Sequence, residues 1–180
     1  MPSDTASPAL TELASGLRFP EGPIAMPDGS VILVEIERGT LTKVAPDGTV
    51  SYVAKPGGGP NGAAIGPDGR VFVCNNGGFN WTPEGDPSGL RPIGQADNYS
   101  GGRIEAIDLA TGAVEVLYTE CDGHKLRGPN DLVFDGLGAR AEADTDAAAS
   151  ARHPALLKSR RADAVPSRSP DQQHRDAVLR

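Results

Sequence analysis

Basic excess, long apolar runs, cysteines and aromatic side chains are all scarce in this chain. Lys and Arg number 17 against 24 Asp and Glu, a net charge of −7. Phosphate binding needs a basic surface, so nucleic acid is not an expected partner. No apolar stretch approaches the roughly 20 residues that span a bilayer, so no membrane partner is expected either. The opening Met1-Pro2-Ser3-Asp4-Thr5-Ala6-Ser7-Pro8 has neither a basic n-region nor an apolar h-region, and reads as no secretory signal. Only two cysteines occur, Cys74 and Cys121. They make no framework spacing and read as free thiols of a cytoplasmic protein. Aromatics are 4% of the chain, while Gly (23) and Pro (16) are abundant, which favours many turns over long helices.

Composition changes near Gly136. The four Phe, three Tyr and one Trp, and every isoleucine, precede that point. Residues 1–135 carry nine basic and eighteen acidic side chains, and residues 136–180 carry eight and six. The later segment is rich in Ala, Arg and Asp, with little apolar side chain beyond alanine to offset its ordering entropy. Three segments are therefore expected: 1–15, 16–136 and a low-complexity tail, 137–180. The tail is expected to be disordered, with a transient helix at most around 139–152. The break falls inside a repeat, which favours a truncated or frame-shifted sequence over a domain boundary.

The repeat is the most informative feature present. Phe19-Pro20-Glu21-Gly22-Pro23-Ile24-Ala25-Met26-Pro27-Asp28-Gly29 precedes the apolar run Val31-Ile32-Leu33-Val34. Gly59-Pro60-Asn61-Gly62-Ala63-Ala64-Ile65-Gly66-Pro67-Asp68-Gly69 precedes Val71-Phe72-Val73. A third copy starts at Gly128-Pro129-Asn130-Asp131-Leu132-Val133-Phe134-Asp135-Gly136. The framework holds while one polar position alternates between Glu21, Asn61 and Asn130. A radial array that points oxygen ligands at one centre has this pattern.

Pro-Asp-Gly occurs at 27–29, 46–48 and 67–69, each time between two short apolar or alternating runs. Proline presets φ, Asp bonds its own backbone and Gly supplies positive φ, so each is a hairpin signal. Thr111-Gly112 does the same between Ile104-Glu105-Ala106-Ile107 and Val114-Glu115-Val116-Leu117-Tyr118. The alternation in these last two runs predicts half-exposed strands, and the continuous Val31–Val34 predicts one buried on both faces. Strands are expected at 21–26, 30–36, 40–45 and 49–54, then at 61–66, 70–75, 103–108 and 113–118. A long insertion between Asn76 and Gly102 contains Phe79, Trp81 and Tyr99, and its length suggests a lid. Four-stranded antiparallel meanders at this period are the signature of propeller blades.

Gly16-Leu17-Arg18-Phe19-Pro20-Glu21-Gly22-Pro23, the Pro60-Asn61-Gly62 step and Gly128-Pro129-Asn130-Asp131 together resemble the gluconolactonase family, with its regucalcin-like (senescence marker) relatives. The resemblance covers about residues 11–136. It implies an all-β, six-bladed β-propeller, of which this chain would hold about two blades and the first strand of a third. It also implies that the first strand of each blade lines a central channel, where a divalent metal assists hydrolysis of a small, sugar-type lactone. Glu21 would be the first-blade carboxylate ligand and Asn130 the asparagine ligand, while Asn61 would contact substrate. Leu10-Thr11-Glu12-Leu13-Ala14 would be a closing strand. The family's later-blade aspartate, ligand and general base, matches no position here. An arginine that some relatives place two residues before the second-unit asparagine is Gly59.

A carboxylate and amide carbonyls are hard oxygen donors, which suit Ca²⁺ best, with Mg²⁺, Mn²⁺ or Zn²⁺ as alternatives. A metal-dependent lactonase is thus the first expectation, and a non-catalytic propeller module for binding or regulation the alternative. Gly57-Gly58-Gly59-Pro60-Asn61-Gly62 lacks the Lys and Ser/Thr of a phosphate loop. His124 has no nucleophile motif beside it and reads as a solvated loop residue. Cys74 reads as core.

Overall fold

The computed structural model describes residues 10–121 and 123–134 and the backbone of 141–145. Every regular element among them is a strand. A first antiparallel meander runs β1 (Pro20–Ala25), β2 (Val31–Glu35), β3 (Thr40–Val44) and β4 (Val50–Ala54). The second sheet begins with β5 (Pro60–Ile65) and β6 (Val71–Asn75). A separate hairpin, β7 (Phe79–Trp81) and β8 (Pro92–Gln95), interrupts it before β9 (Arg103–Ile107) and β10 (Val114–Tyr118) complete it in the order β5-β6-β9-β10. The small pair β11 (Glu120–Cys121) and β12 (His124–Lys125) leads to β13 (Pro129–Phe134), which pairs with β14 (Ala141–Thr145). The eight blade strands fall within a residue or two of the sequence expectation. The architecture is all-β, part of a β-propeller.

Turn chemistry acts as the sequence implies. Gly29, Gly48 and Gly69 all have φ near +80° to +85°. The preceding Asp accepts the amide two residues on: Ser30 N to Asp28 Oδ1 at 3.0 Å, Thr49 N to Asp47 Oδ1 at 2.9 Å and Arg70 N to Asp68 Oδ1 at 3.1 Å. At the fourth turn Asp108 Oδ1 accepts from the amides of Ala110 and Thr111, before Gly112 at φ +71°.

Two apolar layers hold the sheets face to face. Ile32, Val34 and Leu41 of the first blade meet Ala63, Val71, Val73 and Ile107 of the second. The opposite face of the second blade offers Phe72, Cys74, Ile104 and Ala106 to Leu126 and Leu132. Phe72 stands edge-on to Phe134, ring centroids 5.0 Å apart. The strict alternation of β6 between the two layers explains its unbroken apolar run, since both of its faces are covered. The same sandwiching corrects the expectation for β9. Its Ile104–Ile107 are all buried, including Glu105, whereas only β10, the outermost strand, is half exposed.

Leu10–Leu17 form no strand, and Leu10 and Leu13 are exposed. Residues 1–9 of the N-terminal segment lie outside the described residues, as does the expected tail apart from β14. That strand, Ala-Glu-Ala-Asp-Thr, alternates small and polar residues and sits where a transient helix at most is expected, because β13 offers an open ladder of backbone groups.

Candidate functional site

Glu21, Asn61 and Asn130 each occupy the second residue of the first strand of their sheet. The three strands lie side by side, with β5 between β1 and β13. Glycine makes this approach possible. A Cβ on Gly22 would stand 2.6 Å from the Ala63 amide nitrogen, and a Cβ on Gly62 would stand 2.5 Å from Asp131 Cα and 2.6 Å from the Asn130 carbonyl oxygen. The Glu-Gly and Asn-Gly steps of the first two repeats therefore exist because the neighbouring inner strand passes through the space a side chain would need.

Each inner strand also carries one residue more than its partner at this point. Register shifts fall between Glu21 and Ile24 against β2, between Pro60 and Gly62 against β6, and between Pro129 and Leu132 against β14. A bulge re-aims a side chain out of the alternating pattern, and bulges concentrate beside functional sites. The three shifts overlap along the repeat without coinciding: Glu21 still pairs with Val34 and its shift follows it, while Asn61 and Asn130 fall within theirs.

The side chains are accessible. Glu21 and Asn130 are exposed and Asn61 is half-buried. Asn61 Nδ2 donates to Asn130 Oδ1, so the structure brings the two amides into direct contact, with Glu21 on the adjacent strand. Among the described residues there is no group of three or more His, Cys, Asp or Glu that could hold a metal. The candidate set is of another kind, one carboxylate and two amides. Amide oxygens have two lone pairs each, so Asn130 Oδ1 can accept from Asn61 and still face a cation. This donor chemistry fits a hard divalent ion held partly by groups from outside the set.

The chain segments that lead into β1 and β5 are anchored by buried polar groups that sequence reasoning missed. Glu35 is fully buried at the end of β2 and accepts from the Arg18 amide at 2.6 Å, Arg38 Nε at 2.9 Å and Thr42 Oγ1 at 2.7 Å. Burial works against its charge, but the bonds from Thr42, the Arg18 amide and Arg38 outweigh it and hold the carboxyl below its usual range. In the second blade Glu105 accepts from Asn75 Nδ2 at 2.9 Å and Arg103 Nε at 2.5 Å. Asn75 in turn accepts from the Gly59 amide at 3.0 Å and donates to the Gly57 carbonyl at 2.8 Å. The register makes Glu35 and Asn75 equivalent, since they pair with Pro20 and Pro60. The available signal was a polar residue closing each buried second strand, Glu35 after Val31–Val34 and Asn75 after Val71–Cys74.

Gly59 has a physical explanation as well. A Cβ there would collide with Asn76 Oδ1 and stand 2.9 Å from Gly78 Cα. Asn76, at the root of the insertion, has filled that space, and its buried Nδ2 lacks a hydrogen-bond partner. His124 is exposed on β12. Cys74 is buried, and desolvation, with Asp131 nearby, pushes its thiol far up. It is packing, not a nucleophile.

No helix among the described residues is long and apolar enough to cross a membrane. The fold defines part of a β-propeller, with Glu21, Asn61 and Asn130 on three neighbouring first strands. The model of the family described as SMP-30/Gluconolactonase/LRE-like region matches residues 19–163, and the chain belongs to that family. It is 27% identical over 150 residues to a gluconolactonase of Zymomonas mobilis, which covers 76% of this chain and 35% of that protein. It superposes with a TM-score of 0.54 at 20% identity on the structure of a Xanthomonas campestris gluconolactonase, covering 73% of this chain and 36% of that one. A structural-genomics X-ray structure of a gluconolactonase candidate gives a TM-score of 0.52 at 23% identity, over 74% and 38%. The chain thus spans little more than a third of the length of these relatives.

Proposed function

We propose that this chain carries the carboxylate-and-amide part of a metal-dependent lactonase site for small, sugar-type lactones. The observation that supports it most is the equivalent placement of Glu21, Asn61 and Asn130, each second on one of three adjacent first strands, with Asn61 bonded to Asn130. Glu21 and Asn130 are the ligand positions and Asn61 the substrate contact, with Ca²⁺ the favoured ion. When bound, the metal supplies Lewis-acid polarisation of a carbonyl and a more acidic water. Glu21 contributes negative charge that holds the cation, and Asn130 contributes a neutral oxygen that holds it without adding charge. Asn61 Nδ2 is a donor suited to a lactone oxygen, and its bond to Asn130 fixes where that donor points. The family resemblance assigns proton removal to a later-unit aspartate with no matching position here. General-base help of this kind is worth roughly 10²–10⁴-fold, so turnover by the 180 residues alone should be poor.

Calorimetric titration of the 180-residue chain with Ca²⁺ tests this, together with assays on glucono-lactone and related small lactones. Glu21→Gln and Asn130→Ala should each weaken Ca²⁺ binding at least tenfold, while Asn61→Ala should weaken lactone binding and leave Ca²⁺ binding largely intact. Ca²⁺ binding indifferent to Glu21→Gln would refute the ligand assignment. Strong metal-dependent turnover by this chain would show the later aspartate to be dispensable. Metal and lactone binding with no hydrolysis even after an added carboxylate source would favour the non-catalytic module.

A further inference from the structure

Phe19 is the only non-glycine residue with positive φ among those described, at +57°. It stands two positions before Glu21 and directly before Pro20, and a residue before proline is pushed towards extended backbone. Left-handed backbone is disfavoured for a bulky side chain by roughly tenfold or more in population, and it persists only where the surroundings impose it. Its neighbours show what imposes it. The Arg18 amide is bound to buried Glu35, the Arg18 guanidinium to Glu37 at 2.7 Å, and the Phe19 carbonyl accepts from the Ile36 amide at 3.1 Å. These contacts hold the peptide groups on either side of Phe19 against β2 and place no restraint on its ring. The Phe19 ring instead packs on Trp81, centroids 5.0 Å apart and planes tilted by 56°. Trp81 belongs to the inserted hairpin of the second blade and is braced edge-on by Phe79 at 5.9 Å.

We infer that Trp81 is a positioning residue for Glu21: the inserted hairpin reaches across to the first blade and clamps Phe19 in the left-handed conformation that aims Glu21 at the inner-strand site. The insertion then acts as a brace that couples the second blade to the carboxylate of the first. This rests on the reading of Glu21 as a ligand for its consequence, but not for the clamp itself.

Two readouts separate the clamp from its consequence: backbone NMR shifts and couplings of Phe19, and Ca²⁺ titration of the same samples. Trp81→Ala should release Phe19 to negative φ and weaken Ca²⁺ binding about tenfold. Trp81→Phe, which keeps a ring against Phe19, should retain most of both. Phe19→Gly in the Trp81→Ala background should bring Ca²⁺ affinity back to within about threefold of the parent, because glycine takes positive φ without penalty. A merely structural loss would not be rescued by a second truncation. A Phe19 that stays left-handed in Trp81→Ala overturns the inference. So does a Phe19 that flips while Ca²⁺ binding is unchanged and Glu21→Gln still weakens it. If Glu21→Gln has no effect on Ca²⁺, the ligand reading is what fails, and the Phe19 backbone alone decides the clamp.

Discussion

Gly62→Ala is the sharpest perturbation of the packing that builds the site. The added methyl would lie 2.5 Å from Asp131 Cα and 2.6 Å from the Asn130 carbonyl oxygen, against 3.4 Å or more for ordinary contact. The Asp131 carboxylate oxygen, nearer still, can swing aside, but these two are backbone atoms and cannot. β13 has to retreat from β5 by about 1 Å to restore normal carbon contact. Overpacking of this kind costs about 1–3 kcal/mol. Gly62 is not among the positive-φ glycines, so no backbone strain adds to this. With a urea m-value of about 1–2 kcal/mol/M, the midpoint should fall by about 0.5–3 M with m unchanged. The retreat also pulls Asn130 from Asn61, so their hydrogen bond should weaken, read as loss of the downfield Asn61 side-chain amide signal. Gly94→Ala is the control: it has nothing within 4 Å and ordinary φ, and should stay within about 0.5 kcal/mol of the parent. Gly22→Ala meets the Ala63 amide nitrogen at 2.6 Å and sits at φ +54°, so it should cost about 1 kcal/mol more than Gly62→Ala. If Gly62→Ala unfolds at the parent midpoint, the inner strands are not packed backbone to backbone and the site as described does not exist.

Other outcomes follow from the buried groups. Glu35→Ala leaves Arg38, Thr42 and the Arg18 amide without their shared acceptor and should cost about 3–5 kcal/mol in urea unfolding; a loss below about 1 kcal/mol would contradict it. Because the folded Glu35 carboxyl lies below its ordinary value of 4.5, its contribution is complete above that pH and is lost as the pH falls through the lower folded value. A pH series of denaturation midpoints should therefore be flatter below 4.5 in Glu35→Gln than in the parent, and parallel curves would rule this out. Cys74 is fully buried with a raised pKa, so thiol titration of the native chain should count at most one reactive cysteine, with the second appearing only in urea.

The sequence by itself determined the strand order and the repeat. Pro-Asp-Gly turns are local chemistry, in which Asp caps its own backbone and Gly takes positive φ, so Gly29, Gly48 and Gly69 could be placed without any knowledge of what surrounds them. Glu21, Asn61 and Asn130 were legible for a similar reason, since a repeat exposes the one position it varies. What the tertiary structure decided is everything that depends on two blades meeting. The Ile104–Ile107 alternation reads as a half-exposed strand, yet a neighbouring blade on each face buries it, and Glu105 goes inside because Asn75 and Arg103 are there to meet it. Gly62 reads only as a residue of the expected strand 61–66 and proves to be a gap cut for the next inner strand. Trp81 and Phe19 lie more than sixty positions apart, and nothing local to either signals the other. Only the packing of the inserted hairpin against the first blade puts a ring beside the strained residue that precedes Glu21, because contacts between distant segments are set by shape and burial, not by the pattern along the chain.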